Sequence, residues 1–277
     1  MREEATIAAK LPAHQGPALP ALVSTLHDPA AAALPFLART AVTEALQRYP
    51  LVTVAATSAT HPRVIERLTS IGVRVVPGGP TGVARRAALA AALPHSCYFS
   101  CDFDRWLHWV TTWPDELHSL PARIARMGST VRSRPYAVVL GRSARAFATH
   151  PLVQRIPESG TNRALSLAAS RRLDAVSGAI WLSPEGAAAV LADSIETTAS
   201  TDLEWAALIL RHDPAHLRGL RLEGLEWETP DFHTATITAA GGLDAWVAAT
   251  FDTPAMWETR LRLAADSVAA LNRVMNG

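Results

Sequence analysis

Apolar runs and turn signals alternate along the first hundred residues. Ala21–Leu26 has the length and composition of a short strand and stops at the turn-forming His27-Asp28-Pro29. Leu34, Leu37, Ala38, Ala41, Ala45, Leu46 and Tyr49 then recur at helical spacing. Leu51–Ala56 reads as a buried strand. His61-Pro62 opens a helix with proline in its first turn, carrying Ile65, Leu68 and Ile71 inward until Gly72 ends it. Val73–Val76 is a third strand. The loop Pro77–Gly82 leads into an alanine-rich helix, Val83–Ala92, and the apolar run Cys97–Cys101 is a fourth strand. Four strand–helix alternations predict a mostly parallel sheet covered on both faces, and such sheets bind ligands at the carboxyl ends of their strands.

The second half is less regular. The pattern predicts a helix over Trp113–Met127 with a break at Pro121 and a strand at Tyr136–Leu140. It then predicts a helix at Glu158–Ser170, a strand at Asp174–Leu182, and a helix opened by Ser183-Pro184-Glu185. Another helix starts at Thr201, Leu220–Trp227 is a strand followed by a polar loop through His233, and Pro254–Met275 closes the chain as an amphipathic helix. There is no internal repeat and no linker. The expected organisation is one domain over 1–277: a loose leader (1–20), a first half (21–112), a second half (113–235) and a helical extension (236–277).

Composition narrows the class. Of 277 residues, 49% are hydrophobic and 18% charged, enough apolar material for a real core. A net charge of +1 gives no global field for nucleic acid. The two cysteines, Cys97 and Cys101, read as small buried hydrophobes, which fits a reducing cytoplasm. No uncharged apolar run is long enough to span a membrane. Arg132, Arg134, Arg142 and Arg145 flank the strand at Tyr136–Leu140, as a solvated cationic face or as contacts for an acidic acceptor.

The sharpest chemical signal is the end of the fourth strand. At the end of a strand, alternation puts side chains i and i+2 on one face, so Asp102 and Asp104 are expected to aim at one point beyond the sheet edge. Two converging carboxylates call for a cation. Hard oxygen ligands suit magnesium or manganese, which usually complete their shells with substrate phosphates.

This order of elements, ending in Asp-x-Asp after an apolar fourth strand, resembles the GT-A-fold glycosyltransferases over roughly residues 20–235. The resemblance implies a Rossmann-like α/β fold, with a mixed, mostly parallel sheet flanked by helices and a C-terminal helical extension, and makes 21–112 the nucleotide-binding half and 113–235 the acceptor-side half. It also implies transfer of a sugar from a nucleoside-diphosphate donor to a hydroxyl of a small-molecule or glycan acceptor, aided by manganese or magnesium. Asp102 and Asp104 would hold the metal against the diphosphate, with His233 as a third ligand and Asp231 as its alternate. Ser24, Thr25 and Asp28, at the end of the first strand, fall where nucleotide base and ribose pack. Arg85 or Arg86, after Gly82, would lie near the donor. Gly178 would let backbone approach the donor sugar, with Trp181 close by as a core aromatic or a sugar-stacking ring. Asp202 and Glu204 would supply the acceptor-side acid. They are two apart on a helix, so only one can face the acceptor.

Three other readings use the same residues. A haloacid-dehalogenase-type phosphatase would use the first aspartate as nucleophile, but it favours Thr or Val where Trp106 stands and carries its motif on the first strand. A sugar nucleotidyltransferase would have a glycine-rich loop with a basic residue after the first strand, which His27-Asp28-Pro29-Ala30 does not provide. A non-catalytic binding protein would hold a nucleotide sugar without turnover. No Gly-x-Gly-x-x-Gly follows a strand, so dinucleotide chemistry has no support.

Overall fold

The structure is a computed structural model that describes residues 19–128 and 134–277. Its seven strands are β1 (Ala21–Leu26), β2 (Val52–Ala56), β3 (Arg74–Pro77), β4 (Tyr98–Cys101), β5 (Ala137–Arg142), β6 (Ala179–Leu182) and β7 (Leu217–Leu222). They form one sheet in the order β3-β2-β1-β4-β6-β5-β7. Only β6 runs antiparallel to its neighbours, pairing Phe99 with Trp181 on one side and Val138 with Trp181 on the other. The sheet is thus mixed and mostly parallel.

The alternation in the strands assigns the two sheet faces. Leu22, Phe99 and Val138 point into one apolar layer, while Ala21, Val23, Tyr98 and Val139 point into the other. The first layer is completed by α1 (Leu34–Leu37), α2 (Thr40–Gln47) and α3 (Pro62–Ser70). Across the sheet lies α4 (Thr81–Ala91); α5 (Phe103–Thr112) and α6 (Pro114–Ala125) return to the first face. In the second half, α7 (Ala144–Ala148) and α8 (Leu152–Ala168) lead to β6. Next come α9 (Pro184–Asp193) and α10 (Thr201–His212), which pack on the second face with α13 (Pro254–Asn276). Between β7 and α13, α11 (Thr234–Ala239) and α12 (Leu243–Thr250) help bury a small third cluster of Val153, Trp227, Trp246 and Phe251. Among the described residues no helix is long and apolar enough to cross a membrane.

Several boundaries differ from the sequence reading. The strand expected from Asp174 starts only at Ala179, because a turn with Gly178 at φ +68° interrupts the extended run. The helix expected from Glu158 begins at Leu152 and tolerates Pro157 near its first turns. The strand expected at Leu220–Trp227 is Leu217–Leu222, in register with all six residues of β5. Trp181 is buried against Phe99, ring centroids 6.3 Å apart, so it is a core aromatic. Arg142 is not part of a solvated face: it is buried, with Asp174 at 2.8 Å and Glu158 at 2.7 Å. Arg132 lies outside the described residues.

The chain runs outward from β1 through β2 to β3, then returns to add β4 on the other side of β1. That reversal opens a crevice between the carboxyl ends of β1 and β4, the place where open α/β sheets take ligands.

Candidate functional site

Thr25 lies in that crevice near the end of β1, and Asp102 directly follows β4. The Thr25 hydroxyl donates to Asp102 Oδ1 at 2.9 Å. They line a cavity of about 520 Å³ together with Asp28, Thr81, Asp104, Glu228, Phe232 and His233. The structure therefore brings Asp102, Asp104, Thr25, Asp28 and His233 to one cavity.

Asp104 reaches it by a different route from the one strand alternation suggests. The chain leaves β4 at Cys101, Asp102 is the residue preceding α5, and Asp104 lies in the helix's first turn. There the helix dipole favours a carboxylate, and the Arg105 backbone N–H donates to Asp104 Oδ1 at 2.8 Å. Burial and the neighbouring Glu228 and Asp102 charges nevertheless push Asp104 up to about 7. Glu228 is buried and accepts from Arg105 Nη2 at 2.9 Å. Its Oε2, like Arg105 Nε and Nη1, has no hydrogen-bond partner among the described residues.

Arg85, on α4, is 5% exposed and spans two carboxylates. Its Nη2 donates to Asp102 Oδ2 at 2.9 Å and Oδ1 at 3.1 Å; its Nη1 donates to Asp202 Oδ1 at 2.6 Å and Thr201 Oγ1 at 3.1 Å. Asp202 faces a small, water-sized cavity beside the large one, lined also by Arg85, Ser100, Gly178 and Trp205. Burial raises the Asp202 carboxyl, Arg85 works against that, and the Asp102 charge adds to it; the result is about 6. Gly178 closes the arrangement, its carbonyl accepting the Asp102 N–H at 3.2 Å.

Four predicted residues are committed elsewhere. Glu204 is fully buried and turned away from the cavity. Its carboxylate accepts from Ser194 Oγ at 2.5 Å, from the Ile195 and Glu196 backbone N–H groups at 2.9 and 3.0 Å, and from Arg273 Nη2 at 3.2 Å. It anchors the loop before α10 to α13, so of the two acids only Asp202 is near the crevice. Arg86 also turns away, donating to Ser194 Oγ at 3.1 Å and to the Glu196 carbonyl. Ser24 is buried, paired with Val54 in the sheet, and its hydroxyl donates to the Cys101 carbonyl at 2.6 Å, a tie between β1 and β4. Asp28 lines the cavity, but its carboxylate accepts from the Ala32 and Ala33 N–H groups at 2.8 and 2.9 Å and so closes the turn after β1.

Sequence reasoning missed Glu228, Arg105 and His108. His108 is buried on α5, with Nδ1 2.6 Å from Asp231 Oδ2 and Nε2 3.2 Å from Glu226 Oε1. Burial disfavours its imidazolium, but the two carboxylates outweigh burial and hold it above the usual histidine range. This ties α5 to the segment that carries Glu228 and His233, while His233 itself packs against Trp246, ring centroids 5.3 Å apart. The available signal was a histidine set among apolar residues in Phe103–Val110.

No protein-family model matches the chain, and no curated protein matches its sequence. Solved structures do. The UDP complex of glucosyl-3-phosphoglycerate synthase from Mycobacterium tuberculosis is 13% identical, with a TM-score of 0.53 over 91% of this chain and 80% of that one. The same enzyme with Mn²⁺, UDP and glucosyl-3-phosphoglycerate is 13% identical, with a TM-score of 0.52 over 74% of this chain and 70% of that one. A further mycobacterial protein is 12% identical, with a TM-score of 0.50 over 83% of this chain and 74% of that one. At such identities the likeness is one of architecture: the chain has a GT-A-like fold, a mixed, mostly parallel seven-stranded sheet flanked by helices.

Proposed function

We propose that the protein is a divalent-metal-dependent glycosyltransferase that moves a sugar from a nucleoside-diphosphate donor to an acceptor hydroxyl. One observation carries this reading: Asp102 and Asp104 enter the same large cavity at the crevice between β1 and β4, in a GT-A-like sheet. The similar synthase has been solved with Mn²⁺, UDP-glucose and glycerol 3-phosphate. A UDP-hexose donor and a phosphorylated acceptor are therefore the first substrates to try.

The residues fit a hard divalent ion. Asp102 and Asp104 supply anionic oxygens to one cavity, and such ions complete their shells with substrate phosphates; among the described residues no three His, Cys, Asp or Glu side chains are grouped to hold an ion, so His233, on the same cavity wall, is not required as a third ligand. Burial first, and then the Glu228 and Asp102 charges, raise the Asp104 carboxyl. When bound, the ion supplies Lewis-acid stabilisation of the leaving diphosphate.

The remaining work falls to the chain. Thr25 orients the Asp102 carboxylate through its hydroxyl. Gly178 lets Asp102 sit close against the backbone. Asp202, pushed up to about 6 and ionised at neutral pH, is the acid this reading assigns to take the proton of an attacking acceptor hydroxyl in an inverting transfer; Arg85 links it to Asp102.

The test is a thermal-shift screen of UDP-sugars with and without manganese, followed by turnover of Asp102→Asn and Asp104→Asn. Stabilisation requiring sugar nucleotide and metal together is expected from binding linkage, as is loss of metal-dependent turnover in both variants with the fold intact. Undiminished turnover in both variants would sink the reading, and trapping of an aspartyl phosphate would favour the phosphatase instead.

A further inference from the structure

The donor and acceptor sides of the crevice meet at one side chain. Arg85 is nearly fully buried, and its guanidinium reaches both oxygens of Asp102 through Nη2 while Nη1 holds Asp202 and Thr201. Its position is set by the backbone. At Gly82, one turn earlier on α4, a β-carbon would collide with the Glu196 carbonyl, so α4 lies directly against the loop leading to α10. That contact places Arg85 between Asp102 and Asp202.

A planar guanidinium can span two carboxylates in a way a point-charge ammonium cannot. It also makes Asp102 a contested ligand. Both oxygens of Asp102 are already held by Arg85, and a divalent ion that takes Asp102 competes with the guanidinium for the same carboxylate charge and is repelled by it. We propose that Arg85 is an internal rival of the donor-site cation for Asp102, and that Asp202 sets how strongly it competes. With two carboxylates to share it, the guanidinium gives less to Asp102 and yields to the ion. With one, it holds on. Thr201 and Asp202 keep the displaced guanidinium anchored at the cavity wall. The metal site and the acceptor-side acid are then coupled, and linkage makes the coupling reciprocal.

The proposal rests on the metal-site reading given above, and manganese titration of the full chain by isothermal calorimetry separates the two. Arg85→Gln removes the rival and is expected to tighten Mn²⁺ binding about tenfold, a typical size for coupling between sites. Arg85→Lys keeps the charge but loses the fork that spans Asp102 and Asp202, and is expected to tighten binding by at least about threefold. Asp202→Asn leaves the guanidinium to Asp102 alone and is expected to weaken Mn²⁺ binding. If Arg85→Gln does not fold, the lysine variant and Asp202→Asn carry the test. Equal affinity in wild type and both Arg85 variants would overturn the proposal. So would a tighter Arg85→Gln beside an unchanged Arg85→Lys, which marks a field effect of charge alone. No Mn²⁺ binding by wild type or any variant would instead remove the metal-site reading itself.

Discussion

A β-carbon on Gly178 would stand 2.6 Å from Oδ2 of Asp102, and Gly178 already occupies φ +68°, where a side chain is disfavoured. The two residues are also joined through the backbone, Asp102 N–H to Gly178 carbonyl at 3.2 Å. Gly178 therefore fixes where the Asp102 carboxylate can sit. Gly178→Ala should cost about 1–2 kcal/mol through backbone strain alone, and it should displace Asp102 from both Thr25 and the cavity. The expected result is a melting temperature lower by a few degrees and Mn²⁺ affinity at least about tenfold weaker. A variant that melts early but binds Mn²⁺ at the wild-type constant would show that the contact matters only for stability.

Glu204 supports a contrasting prediction. Its buried carboxylate satisfies two backbone N–H groups and a serine hydroxyl of the loop before α10. Leaving such groups unpaired costs about 1–3 kcal/mol each. Glu204→Ala should lower stability by at least about 3 kcal/mol, read from denaturant unfolding. Turnover per folded molecule should be unchanged, because the residue faces away from the crevice. Loss of turnover at wild-type stability would return Glu204 to the acceptor side.

Asp202 gives a pH dependence with a definite sign. Burial outweighs the opposing pull of Arg85, the Asp102 charge adds to it, and the carboxyl stands at about 6, against about 4 in an unfolded chain. The folded state therefore binds the proton more tightly. The contribution of Asp202 to stability is fullest at acid pH, declines as pH rises from about 4 to about 6, and is flat above. In denaturant unfolding, the difference between wild type and Asp202→Asn should change over that window and level off beyond it. On the proposed role, kcat/KM should also rise through about pH 6, because only the ionised form takes a proton. A stability difference that stays constant from pH 4 to 8 would mean the carboxyl titrates normally.

These contrasts show what the sequence could carry. Short apolar runs at Ala21–Leu26 and Tyr98–Cys101, with helical spacing and turn signals between them, were enough to place a mostly parallel sheet and the strand that precedes Asp102. The strand was legible as far as Cys101, but local pattern did not show that a helix starts at Phe103, because Phe103–Thr112 is apolar and aromatic enough to read either way. Asp104 thus reaches the cavity from a helix turn. The orientation of Glu204 depended on a loop ten residues upstream and on Arg273 from α13, contacts that no local window contains. The same holds for Arg85, which meets Asp202 across 117 positions of sequence. Spacing could nominate these carboxylates, but only tertiary packing decides which ones meet.

His108 is the clearest case of a residue whose effect is exerted through others. It links α5, which begins beside Asp102, to Asp231 and Glu226, which bracket Glu228 and lead to His233. Holding both carboxylates takes two ring nitrogens, and a glutamine side chain cannot donate to both in this geometry. His108→Gln should therefore loosen the wall carrying Glu228 and His233 without touching the strands. The expected effect is a rise of about three- to tenfold in KM for the donor and a matching loss of Mn²⁺ affinity, with kcat at saturating donor changed by less than about twofold. That split corresponds to about 1 kcal/mol of lost binding, the size of a typical hydrogen-bond deletion. His108→Asn, which is shorter and reaches neither carboxylate from the same backbone, should behave at least as badly. If both variants melt early yet keep wild-type KM and Mn²⁺ affinity, His108 serves only the core, and the wall is held by the packing of Trp227, Trp246 and Phe251.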